Sequence, residues 1–301
     1  MAVLEQRSTG KRYELLPDTL IGRSKECWIE LGAQGVSRLH ARVSWSQRGW
    51  LLQDLSQNGT RLNGAEVTRG QNVALKRGDA LHFAGAREGW ELTSAEPPRA
   101  ALFPLPGGDA IPLSRTPVAL PTAEELSGTA YLDVDGFAVL EQDSGLTPLS
   151  DGQLLELSTR RYRVSLPQAL PSTIALQVTL AQAQLSLRPS LNQEHVDASV
   201  TVQGQTVRLR PRSHLQLLLH LACERRNDQR AGLAAKDAGW ADVAQVCREL
   251  DVSRETLNAH VFRLREVFAE LGLADATSII ERRFDSDELR VGPIPIELLE
   301  A

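Results

Sequence analysis

The chain has 301 residues, of which 42% are hydrophobic and 24% charged, and a formal net charge of −5. These proportions describe a folded chain of two or three domains. The mild acidity excludes the strongly basic footprint of a nucleic-acid coat protein, while leaving room for a local basic site.

Residues 1–95 read as short strands: RYELL, TLIGR, ARVSW, WLLQDL, NVAL and ALHF. Gly, Asn and Asp turns separate them every eight to twelve residues or so, the pattern of an all-β sandwich. Trp28, Trp45, Trp50, His82 and Phe83 read as packing residues of that sandwich. EPPRAALFPLPGG, 96–108, is Pro- and Gly-rich and reads as a linker. From 109 to 171 strands continue without a helical period. A weak repeat aligns 75–98 with 149–171 and 11–23 with 109–121, as in a shortened copy of the first domain without its polar loop clusters. Two unrelated β segments sharing turn residues are the alternative.

The third region, 172–292, opens with TIALQVTL, AQLSLRP, ASVTV and TVRLR, with Gln203-Gly204 in a hairpin turn. Pro211 suits a first helical position. Leu215, Leu218, Leu219 and Ala222 then follow at helical spacing. A second helix, 242–250, carries Val243, Val246, Cys247 and Leu250. Asp251-Val252 makes a tight turn, and Ser253 caps a third helix over 254–271. A hairpin turns at Phe284-Asp285-Ser286-Asp287, and 293–301 reads as a tail.

The chemistry concentrates in the loops of the first domain. A phosphate ester needs a guanidinium fork with hydroxyl or backbone donors converging on it. Gly22-Arg23-Ser24 follows a strand, Ser37-Arg38 adds a hydroxyl and a second guanidinium, and Asn58 adds an amide. Gly and Asn alone would be explained as turn residues; Arg23 and Ser37 would not. These blocks, with His40 and Asn58-Gly59-Thr60 in order, resemble the forkhead-associated (FHA) domain over residues 1–95. The resemblance implies a sandwich that binds phosphothreonine peptides. It gives the phosphate to Arg23 and Ser37, with Arg38 beside them, and the peptide main chain to Asn58. It gives loop bracing to Gly22, His40, Gly59 and Thr60. Gln57 stands where many members carry Ser or Thr; its amide can still donate, from a longer side chain.

The stretch DVAQVCRELDVSRETLNAHVFRLR, 242–265, has small or apolar residues at Ala244, Val252, Leu257 and Val261, where a helix-turn-helix packs. The region from about 183 resembles the winged-helix output domain of response regulators, which implies a third helix entering the DNA major groove. At 100° per residue or so, Leu257, Val261, Leu264 and Phe268 face inward, and Phe262 points outward with Glu255 and Glu266. Arg254, Asn258 and Arg265 lie on one flank and His260 and Arg263 toward the other, with Arg282 and Arg283 in the wing. These seven are the candidate DNA contacts. Acidic Asp285, Asp287 and Glu288 oppose them.

The three cysteines, Cys27, Cys223 and Cys247, form no C-x-x-C pair. They argue against a disulfide framework or a zinc site and fit a reducing cytoplasm. MAVLEQRSTG lacks a signal peptide's apolar core, and no run reaches the ~18 apolar residues of a membrane span. No phosphate loop, H-E-x-x-H or G-x-S-x-G motif appears, so neither an enzyme nor a cofactor is expected. The reading is a cytoplasmic signalling protein. A phosphothreonine-bearing partner, a Ser/Thr kinase or its substrate, docks on the first domain, and the winged helix acts on double-stranded DNA, which makes the protein a transcription regulator; a second copy of the chain, in a homodimer, is a further expected partner. The alternative is a phosphorylation-dependent adaptor whose winged helix contacts protein.

Overall fold

Residues 1–95 form β1 (Val3–Gln6), β2 (Arg12–Glu14), β3 (Asp18–Gly22), β4 (Ile29–Glu30), β5 (Ala41–Ser46), β6 (Gly49–Asp54), β7 (Thr60–Leu62), β8 (Ala65–Glu66), β9 (Asn72–Leu75), β10 (Ala80–Phe83) and β11 (Trp90–Ser94). They make a six-stranded sheet, β2-β1-β11-β10-β7-β8, and a five-stranded sheet, β4-β3-β5-β6-β9. Alternation decides what each strand buries. In β6, Trp50, Leu52 and Asp54 point inward while their neighbours do not. Leu4, Ile21, Val43, Trp50, Leu52, Leu81, Phe83 and Leu92, drawn from both sheets, form one core.

The structure is a computed structural model, and it describes residues 1–85, 88–167, 178–190 and 195–300. The chain divides into two compact units. The first comprises Met1–Pro112, Asp151–Leu154 and Tyr162–Ala169; the second comprises Leu113–Ser150, Leu155–Arg161 and Leu170–Ala301. The segment read as a shortened copy, 109–171, is therefore shared between them.

The Pro-rich 96–108 is not a linker throughout. It contains β12 (Ala101–Leu105), which pairs with β13 (Ile111–Pro112). Ala101 and Phe103 are fully buried with Met1 and Leu16, and Phe103 meets the Trp28 ring edge-on at 5.3 Å. The apolar triplet Ala-Leu-Phe outweighs the prolines around it, because burying a large aromatic contributes more than the lost ladder bonds cost.

The second unit holds an antiparallel meander of β14 (Val118–Pro121), β15 (Leu126–Leu132), β16 (Ala138–Gln142) and β17 (Gly145–Pro148). Residues of β18 (Leu154–Leu157) and β19 (Arg160–Ser165) are divided between the units. Further on come β20 (Ala183–Pro189), β21 (Val196–Val202) and β22 (Gln205–Leu209), with Gln203-Gly204 turning between the last two at positive φ. Much of TIALQVTL lies outside the described residues.

Three helices follow: α1 (His214–Arg230), α2 (Val243–Glu249) and α3 (Arg254–Glu270), with β23 (Ala241–Asp242) before α2. Helix α1 starts later than Pro211, because residues 212–216 first make short i→i+3 bonds such as Leu215 N–H to the Arg212 carbonyl. Asp242 caps α2 and Ser253 caps α3 through side-chain oxygens. Asp251 takes the left-handed conformation in the turn between them. Ala244, expected to pack, is exposed; Val243 and Val246 are buried instead. Hairpin β24 (Ile280–Arg283) and β25 (Glu288–Val291) pairs with β23. The expected tail holds β26 (Ile296–Leu298), parallel to β20, and a fully buried Ile294. Its apolar residues alternate as a strand requires. No helix is long and apolar enough to cross a membrane among the described residues.

Candidate functional site

Three loops of the first sandwich meet at one rim. After β3 the chain runs beside the segment before β5: Arg23 N–H donates to the Ser37 carbonyl (2.9 Å) and Ser24 N–H to the Arg38 carbonyl (3.0 Å). His40 N–H returns to the Ile21 carbonyl at 2.8 Å. Arg23 and Ser37 are thus backbone neighbours, although fourteen positions or so separate them in sequence. Gly22 makes this approach feasible, since a Cβ there would collide with the Arg38 carbonyl.

The loop after β6 closes the third side. Gln57 N–H donates to Ser37 Oγ at 3.2 Å. This uses one lone pair of the hydroxyl and leaves its proton for an outside acceptor. Asn58 is exposed and its Nδ2 donates to the Gly35 carbonyl at 2.8 Å, which fixes the amide plane across the rim. Gly59 takes φ +77° and donates its N–H to Ser56 Oγ at 2.8 Å.

His40 is buried and ties two of the loops together. Its Nδ1 accepts from Ser37 N–H at 3.1 Å, and its Nε2 lies 3.2 Å from the Gly59 carbonyl. A backbone N–H can only donate and a carbonyl can only accept. The ring is therefore neutral with its proton on Nε2. Burial holds His40 below the ordinary imidazole value, against the opposing pull of the Gly59 carbonyl and Asp54.

Thr60 is buried and its hydroxyl donates to Asp54 Oδ1 at 2.6 Å, an oxygen that also accepts from Ser56 N–H at 3.3 Å. Asp54 and Ser56 are bracing residues that the sequence motifs do not include. The available signal was register, because Asp54 occupies the inward position after Trp50 and Leu52, where a carboxylate requires partners.

Arg23, Arg38 and Gln57 are exposed. Neither guanidinium is paired with a carboxylate among the described residues. The rim presents two unengaged cations, a hydroxyl proton and an amide, all on a braced frame. Such a set can hold a dianionic ester through charge-assisted bonds with little further ordering.

Residues 19–84 match the family model described as the FHA domain. The FhaA FHA domain, solved in complex with the intracellular domain of Rv3910, is 31% identical, covering 30% of this chain and 98% of that one at a TM-score of 0.27. A second solved structure, from a structural and functional analysis of phosphothreonine-dependent FHA domain interactions, is 29% identical, covering 32% of this chain and 98% of that one at a TM-score of 0.29. The Caenorhabditis elegans protein "Germ layers disorganized gldi-3" is 36% identical over 59 residues, 18% of this chain and 6% of that protein's length. Within the first unit, residues 19–84 thus match an FHA domain and lie in an all-β sandwich.

The candidate DNA contacts of the second unit are placed differently. Arg265 is 5% exposed; its Nη1 donates to Glu141 Oε2 at 2.5 Å and its Nη2 to the Ile280 carbonyl at 2.8 Å. Arg282 is largely covered, its side chain 10% exposed, with Nε 3.7 Å from Glu141 Oε1 and Nη2 donating to Asn258 Oδ1 at 2.7 Å. Both are corrections, since Arg265 was expected on an accessible flank of the third helix and Arg282 in an accessible wing. So is Phe262, expected to point outward and in fact 5% exposed. The reason is that β15 packs against α3 on the side that helical periodicity leaves open.

The remaining five are engaged as well. Asn258 Nδ2 donates to Asp143 Oδ1 at 2.9 Å. Arg254 makes a two-bond fork to Asp287 at 2.8 and 2.7 Å. Arg263 pairs with Glu266 at 2.7 Å, and His260 Nε2 lies 3.2 Å from Ser213 Oγ. Arg283 stacks 3.9 Å from the Trp240 ring and sits 3.4 Å from Glu288.

Proposed function

We propose that this chain is a phosphothreonine-dependent signalling protein whose first unit captures a phosphorylated partner. In this reading Arg23 and Ser37 bind the phosphate and Arg38 adds a second guanidinium. Asn58 holds the peptide main chain, and the Gln57 amide reaches toward the phosphate. Gly22, His40, Gly59 and Thr60 keep the loops in place. The partner is a Ser/Thr kinase or one of its substrates. One observation carries the reading: two guanidiniums without carboxylate partners among the described residues stand on the loops that also present the Ser37 hydroxyl. A dianion gains most from such a fork.

The second unit, in the same proposal, is a winged helix that acts on double-stranded DNA and makes the protein a transcription regulator. The pairing of Arg254, Arg265 and Arg282 with Glu141, Asp143 and Asp287 favours a second reading, in which the chain as folded here works as an adaptor. The test is a titration of the full chain with a phosphothreonine peptide and its unphosphorylated twin. Binding of the phosphorylated peptide alone is expected. Equal affinity for the two would remove the phosphate-reading function.

A further inference from the structure

We infer that the face of α3 beside the β24–β25 hairpin is a duplex-DNA surface held shut by two carboxylates of the chain's own meander, Glu141 and Asp143. The inference rests on the DNA half of the reading above. Both carboxylates sit at or just after the end of β16, in the same compact unit as the helix.

The contacts resemble those a phosphate backbone would make. Glu141 accepts from Arg265 and from Tyr131 Oη (3.0 Å) and lies beside Arg282. Asp143 accepts from Asn258 and lies 3.5 Å from Arg254 Nε and 3.9 Å from Arg282 Nη1. Two acidic side chains therefore engage three arginines and an asparagine, drawn from α3 and the hairpin. These are the residue types that read phosphates and base edges. The carboxylates stand where polyanion oxygens would have to stand, so the meander and a duplex compete for the same donors.

The closure is partial. Glu141 and Arg265 are buried, whereas the Asp143 side chain is about half exposed. Among the described residues, Nε of both Arg265 and Arg282 is buried without a hydrogen-bond partner. The two carboxylates thus leave two donors unused, which a phosphate-rich surface reaches only when the meander moves away from the helix. A cavity of about 290 Å³ between meander and helix, lined by Ser127, Gly128, Asp143, Asn258, Phe262 and Arg282 among others, marks a seam that is not fully packed.

The test uses the full chain and a fluorescent duplex of ~20 bp, two helical turns. Anisotropy is read between about 50 and 200 mM salt, where phosphate contacts give a steep slope. The variants are Asp143→Asn, Glu141→Gln/Asp143→Asn, and Glu124→Gln/Glu125→Gln, a control at exposed acids that removes the same charge as the double variant. Asp143→Asn changes only a half-exposed group, so it keeps the fold if the buried pair does not tolerate Glu141→Gln.

The closure predicts weak binding by wild type and control. It predicts a gain of about tenfold or more in the Asp143 variants with a steep salt slope, and loss of that gain when Arg254→Ala is added. Tight, salt-steep binding by wild type equal to that of the variants would overturn the closure and leave the DNA reading standing. No binding by any folded variant would overturn both.

Discussion

At the scale of single residues, His40 converts loop geometry into a pH dependence. Its neutral form is required, because protonated Nδ1 could no longer accept from Ser37 N–H. Its folded value lies below the usual 6.5, so the folded protein takes up this proton less readily than the unfolded chain. The stability it contributes is full above pH 6.5 and is lost as pH falls from there toward the folded value. Urea denaturation across that window should show a steeper decline for wild type than for His40→Asn, whose amide oxygen replaces the acceptor without titrating. Parallel declines would refute the assignment. Gly22→Ala would drive a methyl group into the Arg38 carbonyl and should destabilise by about 1–3 kcal/mol, with a matching loss of phosphopeptide affinity. Arg23 and Ser37 stand out in the sequence because turns require neither a charge nor a hydroxyl at those places, and the structure brings their loops side by side. The part that Asp54 and Ser56 play in bracing Thr60 was not legible there, since its meaning depends on which face of β6 is inward.

Among the elements, the helices were legible and the edges of domains were not. Ser253 and the spacing of Leu257, Val261, Leu264 and Phe268 place α3 correctly, because a cap and a period are local properties. What periodicity does not report is how many sides of a helix are covered. Phe262 and Arg265 belong to a second covered side and so look like surface in the sequence. Strand β12 was hidden by the prolines in and around it and β26 by its shortness after Pro293 and Pro295, since proline marks linkers and tails by composition. Phe103 is the sharpest case, fully buried against Trp28 in what reads as a tether. Phe103→Ala should cost about 3–5 kcal/mol in urea denaturation, whereas a flexible linker would tolerate the change.

For the whole molecule, the same residue type serves two purposes according to its company. Arg265 is locked to Glu141, both side chains being less than a tenth exposed. Arg265→Met should leave a buried carboxylate uncompensated and cost about 3–5 kcal/mol; pairing it with Glu141→Leu should recover part of that loss. Arg23 and Arg38, by contrast, pair with no carboxylate among the described residues and stand exposed. The chain's net charge of −5 offers an anionic peptide no general attraction, so the proposed capture has to come from that local rim. Calorimetric titration of a phosphothreonine peptide into the full chain and its Arg23→Ala variant tests this most directly. Loss of a charge-assisted bond of about 1.5–3 kcal/mol predicts a fall in affinity of at least about tenfold. Unchanged affinity in Arg23→Ala would contradict the phosphate site.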